Sequence, residues 1–162
     1  MRDVRAGAPR RPETLLGLVS YVAGHVSRIG HRTLVAELAG HGLRLPHFAV
    51  LAGLHDFGSL TQHELADRLG LNRSHLVGYL DDLERDGLVS RTRDPSDRRR
   101  QLVQLEHAGQ LLAAELIDGA RAGEAANLAV LNTDELATLA GLLRRVVTAD
   151  DARQACAAAG DD

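Results

Sequence analysis

The sequence predicts a mainly α fold with a small β wing, and three observations carry that reading. Two short amphipathic stretches, 61–69 and 72–86, follow one another across a brief turn, each opened by a capping residue and closed by glycine. The apolar periodicity then changes from helical to alternating over Leu88–Thr92 and Gln101–Leu105, on either side of a basic, turn-rich loop. Long stretches of helical periodicity flank this core on both sides. Two closely joined helices followed by a hairpin make a winged helix-turn-helix, here with added N- and C-terminal helices.

Taken in order, residues 1–11 are rich in Arg, Gly, Ala and Pro without periodicity, which predicts a disordered arm suited to extra phosphate contacts. From Pro12 to about Leu38, residues Leu15, Leu18, Val19, Val22, Val26, Ile29 and Leu34 keep a helical period. Pro12 suits a first turn, and Gly40 and Gly42 follow the end, so 12–45 reads as one long helix and its connection. Pro46 opens a second helix running to about Asp56, with Phe48, Leu51 and Leu54 on one face. Thr61 and Glu64 form a capping-box pattern ahead of Leu65, Ala66 and Leu69, and Gly70 supplies the stop. Asn72 can cap the next helix, whose Leu76, Leu80 and Leu83 seat it on a core until Gly87.

Past the two strands, His107 to about Leu131 predicts a long helix with weak points at Gly119 and Gly123. Asn132 and Glu135 repeat the capping pattern before an amphipathic helix carrying Leu136, Leu139, Leu142, Leu143, Val146 and Val147. The domain organisation expected is therefore a reading core over 46–109, dimerisation helices over 12–45 and 110–150, and a flexible tail over 151–162.

A chain of 162 residues with 44% hydrophobic content suffices for one well-formed core. It has no apolar run of membrane-spanning length and no signal-peptide h-region, and its single cysteine, Cys156, cannot form an internal disulfide. These features place it in the cytoplasm, with no membrane partner. The net charge of -3 argues weakly against nucleic acid, but the local distribution reverses this. Arg91, Arg93, Arg98, Arg99 and Arg100 face only Asp94 and Asp97 across the loop, and the acids Asp81, Asp82, Glu84 and Asp86 sit late in the second helix.

The second helix of such a pair offers its N-terminal residues to the major groove. Here these are Arg73, Ser74, His75, Val77 and Gly78, with Arg73 able to fork a guanine and Val77 to meet thymine methyls. Thr61 and Gln62, at the start of the first helix, are counted with them. Arg98 and Arg99 at the hairpin tip suit a minor groove, and Arg91 and Arg93 suit phosphates, with Arg100 beside them. The flanking helices hold more apolar surface than a small winged domain covers, which suits a second copy of the chain.

The run Leu60-Thr61-Gln62…Glu64-Leu65-Ala66, then Leu83-Glu84…Gly87-Leu88-Val89…Arg91, then Asp94-Pro95…Asp97-Arg98-Arg99…Leu105…Ala108-Gly109 resembles the MarR (multiple antibiotic resistance regulator) family. The resemblance implies a homodimer with interlocked terminal helices on a pseudopalindromic duplex, and a ligand-responsive repressor in which Asp97 holds a wing arginine by an ion pair. It also implies sensing of a phenolic or aromatic carboxylate between the dimer helices and the winged core. Val77-Gly78 stand where many relatives carry Thr-Arg, and Glu106 stands where a capping threonine is common. Tyr21, His25 and Arg28 recur at i, i+4 and i+7 as a polar stripe suited to a carboxylate, and His47 and Val50 would complete that pocket. Alternatively, Arg28 pairs with Glu37 and the histidines are half-exposed surface residues.

The same residues bear on other functions. Eight histidines raise a zinc-responsive repressor, through His25 with His31 or His41 with His47, but no pair has tight metal-ligand spacing. No metal site and no cofactor are expected. A protein-interaction module without DNA binding gives no reason for cations at the wing tip. No glycine-rich phosphate loop, nucleophile elbow or paired carboxylate suggests an enzyme.

Overall fold

The computed structural model describes residues 11–94, 97 and 100–159. The predicted N-terminal arm thus lies, apart from Arg11, outside the described residues. The elements run α1 (Glu13–Leu16), α2 (Val19–Gly30), α3 (Arg32–Gly40), α4 (Leu45–Phe57), β1 (Leu60–Thr61), α5 (Gln62–Leu69), α6 (Arg73–Arg85), β2 (Val89–Arg93), β3 (Gln101–Leu105), α7 (His107–Asn127) and α8 (Thr133–Ala159). The mainly helical fold with a β wing is as the sequence predicts.

The single helix expected over 12–38 is instead three. Pro12 caps α1 from outside it, and the amide of Gly17 closes that turn on Glu13 while Leu18 is extended. His31 marks a bend rather than a break. Its amide ends α2 on the Ser27 carbonyl at 3.0 Å, and its own carbonyl starts α3 by accepting from Val35 at 2.8 Å. Apolar periodicity survives such a bend, so the pattern alone does not reveal it.

The sheet is antiparallel with order β1-β3-β2. β3 pairs Val103 with Leu60 on one side and with Arg91 on the other. The two-residue β1 has no signature in the sequence, because two residues are too few to show an alternation. Leu34, Leu38, Val50, Leu51, Leu65, Leu76, Leu80, Leu83, Val89, Val103 and Leu116 form one buried cluster under the sheet and between the helices.

Helix α7 is continuous through Gly119 and Gly123. Both are sites of close approach rather than weak points, since a Cβ on Gly119 would lie 2.6 Å from the Glu37 carboxylate and one on Gly123 2.7 Å from Thr33 Cβ. Asn127 closes the same seam by donating to Thr33 Oγ1 at 3.0 Å. These residues belong to the first of two compact units, Met1–Asn127.

The second unit, Leu128–Asp162, holds α8. The predicted cap is present: Asn132 Oδ1 accepts from Asp134 and Glu135 amides at 3.0 Å, and Glu135 accepts from the Asn132 amide at 2.9 Å. The helix runs to Ala159, beyond the end near 150 that periodicity predicts. Alanine has the highest helix propensity, and Asp150 adds an i, i+3 pair to Arg153 (3.1 Å) and accepts from Gln154 (2.8 Å). Residues 151–159 thus carry helix without carrying an apolar stripe.

Candidate nucleic-acid interface

Helix α6 is fixed at its N-terminus by Asn72, whose Oδ1 accepts from the Ser74 amide at 2.9 Å and the Ser74 hydroxyl at 2.6 Å. Gly70, with φ +61°, turns the chain between α5 and α6 in the left-handed region that favours glycine. Leu76, Leu80 and Leu83 are buried, so the opposite face is turned outward: Arg73, Ser74, His75, Val77 and Gly78 are all exposed, Val77 at 43%. The five positions the sequence assigns to base reading are therefore presented together.

The acidic second half of α6 is its anchor. Arg91 on β2, with 18% of its side chain exposed, reaches back to Asp81 and, at 3.5 Å, to Glu84, which also accepts from the Arg91 amide at 3.1 Å. Arg91, which the sequence suits to phosphates, is paired with these two carboxylates and ties the wing to the helix. On the other side Asp82 accepts from Arg85 at 2.8 Å and lies 3.9 Å from Arg44. The Arg85 hydrogen bond holds the Asp82 carboxyl below the usual carboxylate range.

His47 is the buried member of this anchor, at 2% exposure. Its Nδ1 accepts from the Arg44 amide at 3.1 Å, so the neutral ring carries its proton on Nε2, 3.4 Å from Asp82. Its ring meets Tyr79 edge-on at 5.3 Å, and Arg44 stacks over the same tyrosine at 5.6 Å. Burial pushes the His47 pKa down, aided by Arg44 and opposed by Asp82. Of the two residues that the sequence adds to a ligand pocket, Val50 is fully buried in the core and His47 joins α4 to α6. The sequence carries a sign of this in the spacing of Arg44 and His47, which is that of an N-cap and its third helical residue.

Thr61 is the cap of α5. At 7% exposure, its hydroxyl donates to Glu64 Oε2 at 2.7 Å and accepts from the Glu64 amide at 3.2 Å, while the Thr61 amide donates to the same carboxylate at 2.9 Å. Its side chain is spent on the cap and holds the Glu64 carboxyl below its ordinary pKa. Thr61→Ala should cost about 1 kcal/mol of stability in urea unfolding, and an unchanged midpoint would remove the capping role. Gln62 beside it is half-buried.

At the wing base the Asp94 amide donates to the Arg100 carbonyl (3.0 Å) and the Arg100 amide to the Asp97 carbonyl (2.9 Å). Arg93, Asp97 and Arg100 are exposed, Arg100 lying 3.9 Å from Glu64. Arg98 and Arg99, and with them the expected Asp97 ion pair, lie outside the described residues.

On α2, Tyr21 and His25 are in ring contact at 4.4 Å and Arg28 is exposed one turn on. The stripe is real, but His47 and Val50 do not join it. A cavity of about 120 Å³ lies nearby, lined by Gly30, His31, Leu34, Phe48, Ala120 and Glu124. Among the described residues no three His, Cys, Asp or Glu side chains come together as a metal-holding group. No helix among them is long and apolar enough to cross a membrane.

A family model described as "MarR family" matches residues 43–100. The HTH-type transcriptional repressor NicR of Pseudomonas putida is 30% identical over 101 residues, which span 62% of this chain and 64% of NicR. The PcaV transcriptional regulator of Streptomyces coelicolor, solved in complex with its natural ligand, superposes with a TM-score of 0.69 at 30% identity, covering 84% of this chain and 96% of that one. A mutant MarR of E. coli complexed with operator DNA superposes with a TM-score of 0.70 at 26% identity, covering 79% and 92%.

Proposed function

The chain belongs to the MarR family, and we propose that it is a homodimeric, sequence-specific DNA-binding transcriptional repressor, released by a small phenolic or aromatic carboxylate ligand. One observation carries the DNA-binding half: α6 is held by its acidic C-terminal half, leaving Arg73, Ser74, His75, Val77 and Gly78 exposed together at its other end. In this reading 46–109 reads DNA, with Arg93, Arg98, Arg99 and Arg100 on the backbone and minor groove, and the site of action is the cytoplasm. Exposed Leu18, Val19 and Val35 in the first unit, and Leu142, Val146 and Val147 in the second, supply apolar surface for a second copy to cover. The Tyr21, His25 and Arg28 stripe supports an anionic aromatic ligand.

Fluorescence anisotropy on a labelled duplex from upstream of its own gene tests both halves. Binding should weaken steeply with salt, and Arg98→Ala with Arg99→Ala should flatten the plot of log K against log salt by about 3.6, near 0.9 for each of the four phosphates the two wings leave without an arginine. An unchanged slope removes the wing from the interface. Arg28→Ala should leave DNA affinity intact while abolishing release by a panel of hydroxybenzoates. Unaltered release removes Arg28 from the ligand site.

A further inference from the structure

Arg73, the first residue of α6, does not extend freely into solvent. Its Nη2 lies 3.2 Å from Asp67 Oδ1 and 3.2 Å from His63 Nε2, and His63 and Asp67 stand one turn apart on α5, 3.3 Å from each other. All three side chains are more than half exposed, so the cluster contributes little to stability. Its consequence lies in which guanidinium hydrogens remain available.

A guanidinium forks a base through one of two edges, Nη1 with Nη2 or Nε with Nη2, and both need Nη2. Asp67 accepts from that nitrogen at 3.2 Å, so either fork competes with it. A guanine edge and a phosphate can each accept such a fork, but the phosphate brings its negative charge up to the Asp67 carboxylate, whereas the guanine edge is uncharged. We propose that Asp67 and His63 are specificity-determining positioning residues. They latch Arg73 on non-cognate DNA and release it only to a guanine edge in the major groove. This rests on the DNA-reading role of α6 proposed above.

The test uses the full-length protein on a randomised duplex library, sequenced after selection, and on a fixed random duplex titrated with salt. Asp67→Asn should raise affinity for the random duplex about tenfold, steepen its salt slope by about 1.8 as the Arg73 of each subunit gains a phosphate, and erase a guanine preference at one position per half-site. In an Arg73→Ala background the same substitution should raise affinity only a few-fold, with no change in slope or preference. Equal gains in both backgrounds would reduce Asp67 to a general repulsive charge and overturn the latch. An intact guanine preference in Asp67→Asn would overturn it as well. Failure of the unaltered protein to select any sequence or respond to salt would instead overturn the DNA-binding reading itself, and the latch with it.

Discussion

Alanine in place of Gly109 is expected to destabilise the protein by about 3 kcal/mol, at the upper end for overpacking. The sign is the informative part, because in a solvent-facing helix Gly→Ala gains roughly 1 kcal/mol. At Gly109 a Cβ would fall on the Leu88 carbonyl oxygen, well inside contact distance, and 2.9 Å from its carbonyl carbon. That carbonyl already accepts from the Glu106 amide at 3.0 Å, and the next residue, Val89, is in register with Leu105. Neither backbone can retreat without opening the start of α7 or the end of the wing. Gly141 in α8 has nothing within 4 Å of an added Cβ, so Gly141→Ala should stabilise by about 0.5–1 kcal/mol. Urea unfolding of the two variants should move in opposite directions. Destabilisation at Gly109 of less than about 0.5 kcal/mol would show that the seam gives way easily.

His47→Ala is the second large effect, about 2–4 kcal/mol, since it empties a fully enclosed position and leaves the Arg44 amide without its acceptor. The pH dependence is more diagnostic. The folded state depresses the His47 pKa below its unfolded value of about 6.5, so the unfolded chain binds the proton more readily. The stability His47 contributes is therefore fully present above pH 6.5 and lost as pH falls below it. Glutamine keeps an acceptor for Arg44 and a donor toward Asp82 but does not titrate there. His47→Gln should be less stable than the original protein at pH 7.5, with the gap narrowing by pH 5.5. A gap that widens instead would mean that the Asp82 ion pair outweighs burial and holds the ring charged.

Most of the fold was legible because its boundaries are marked by local chemistry. Thr61 with Glu64, Asn72, Gly70 and Gly87 each announce a helix end with one or two residues, and the structure uses all of them as such. The bend at His31 was hidden because it preserves the apolar period, and the extension of α8 because alanine makes helix without making a face. Gly109 was visible as part of a family motif, though its cause, the approach of Leu88, joins elements distant in sequence.

The site was legible for exposure but not for occupancy. Periodicity correctly turned Arg73, Ser74, His75, Val77 and Gly78 outward. It could not show that Arg91 faces back to Asp81 and Glu84, that Thr61 spends its hydroxyl on its own cap, or that His47 points inward to Asp82. Each of those is a choice among partners that only the packed chain makes. Arg73 with Asp67 and His63 escaped for the same reason, the three being spread over two helices.

The division of α6 into a bound half and an open half bears on how such a protein changes its targets. Of the residues that hold the helix, Asn72 precedes the five exposed positions, Leu76 lies between them, and Tyr79, Leu80, Asp81, Asp82, Leu83 and Glu84 all follow them. Substitution at 73, 74, 75, 77 and 78 therefore leaves the buried anchor of the helix in place, so its outward surface can change while the socket that holds it stays the same.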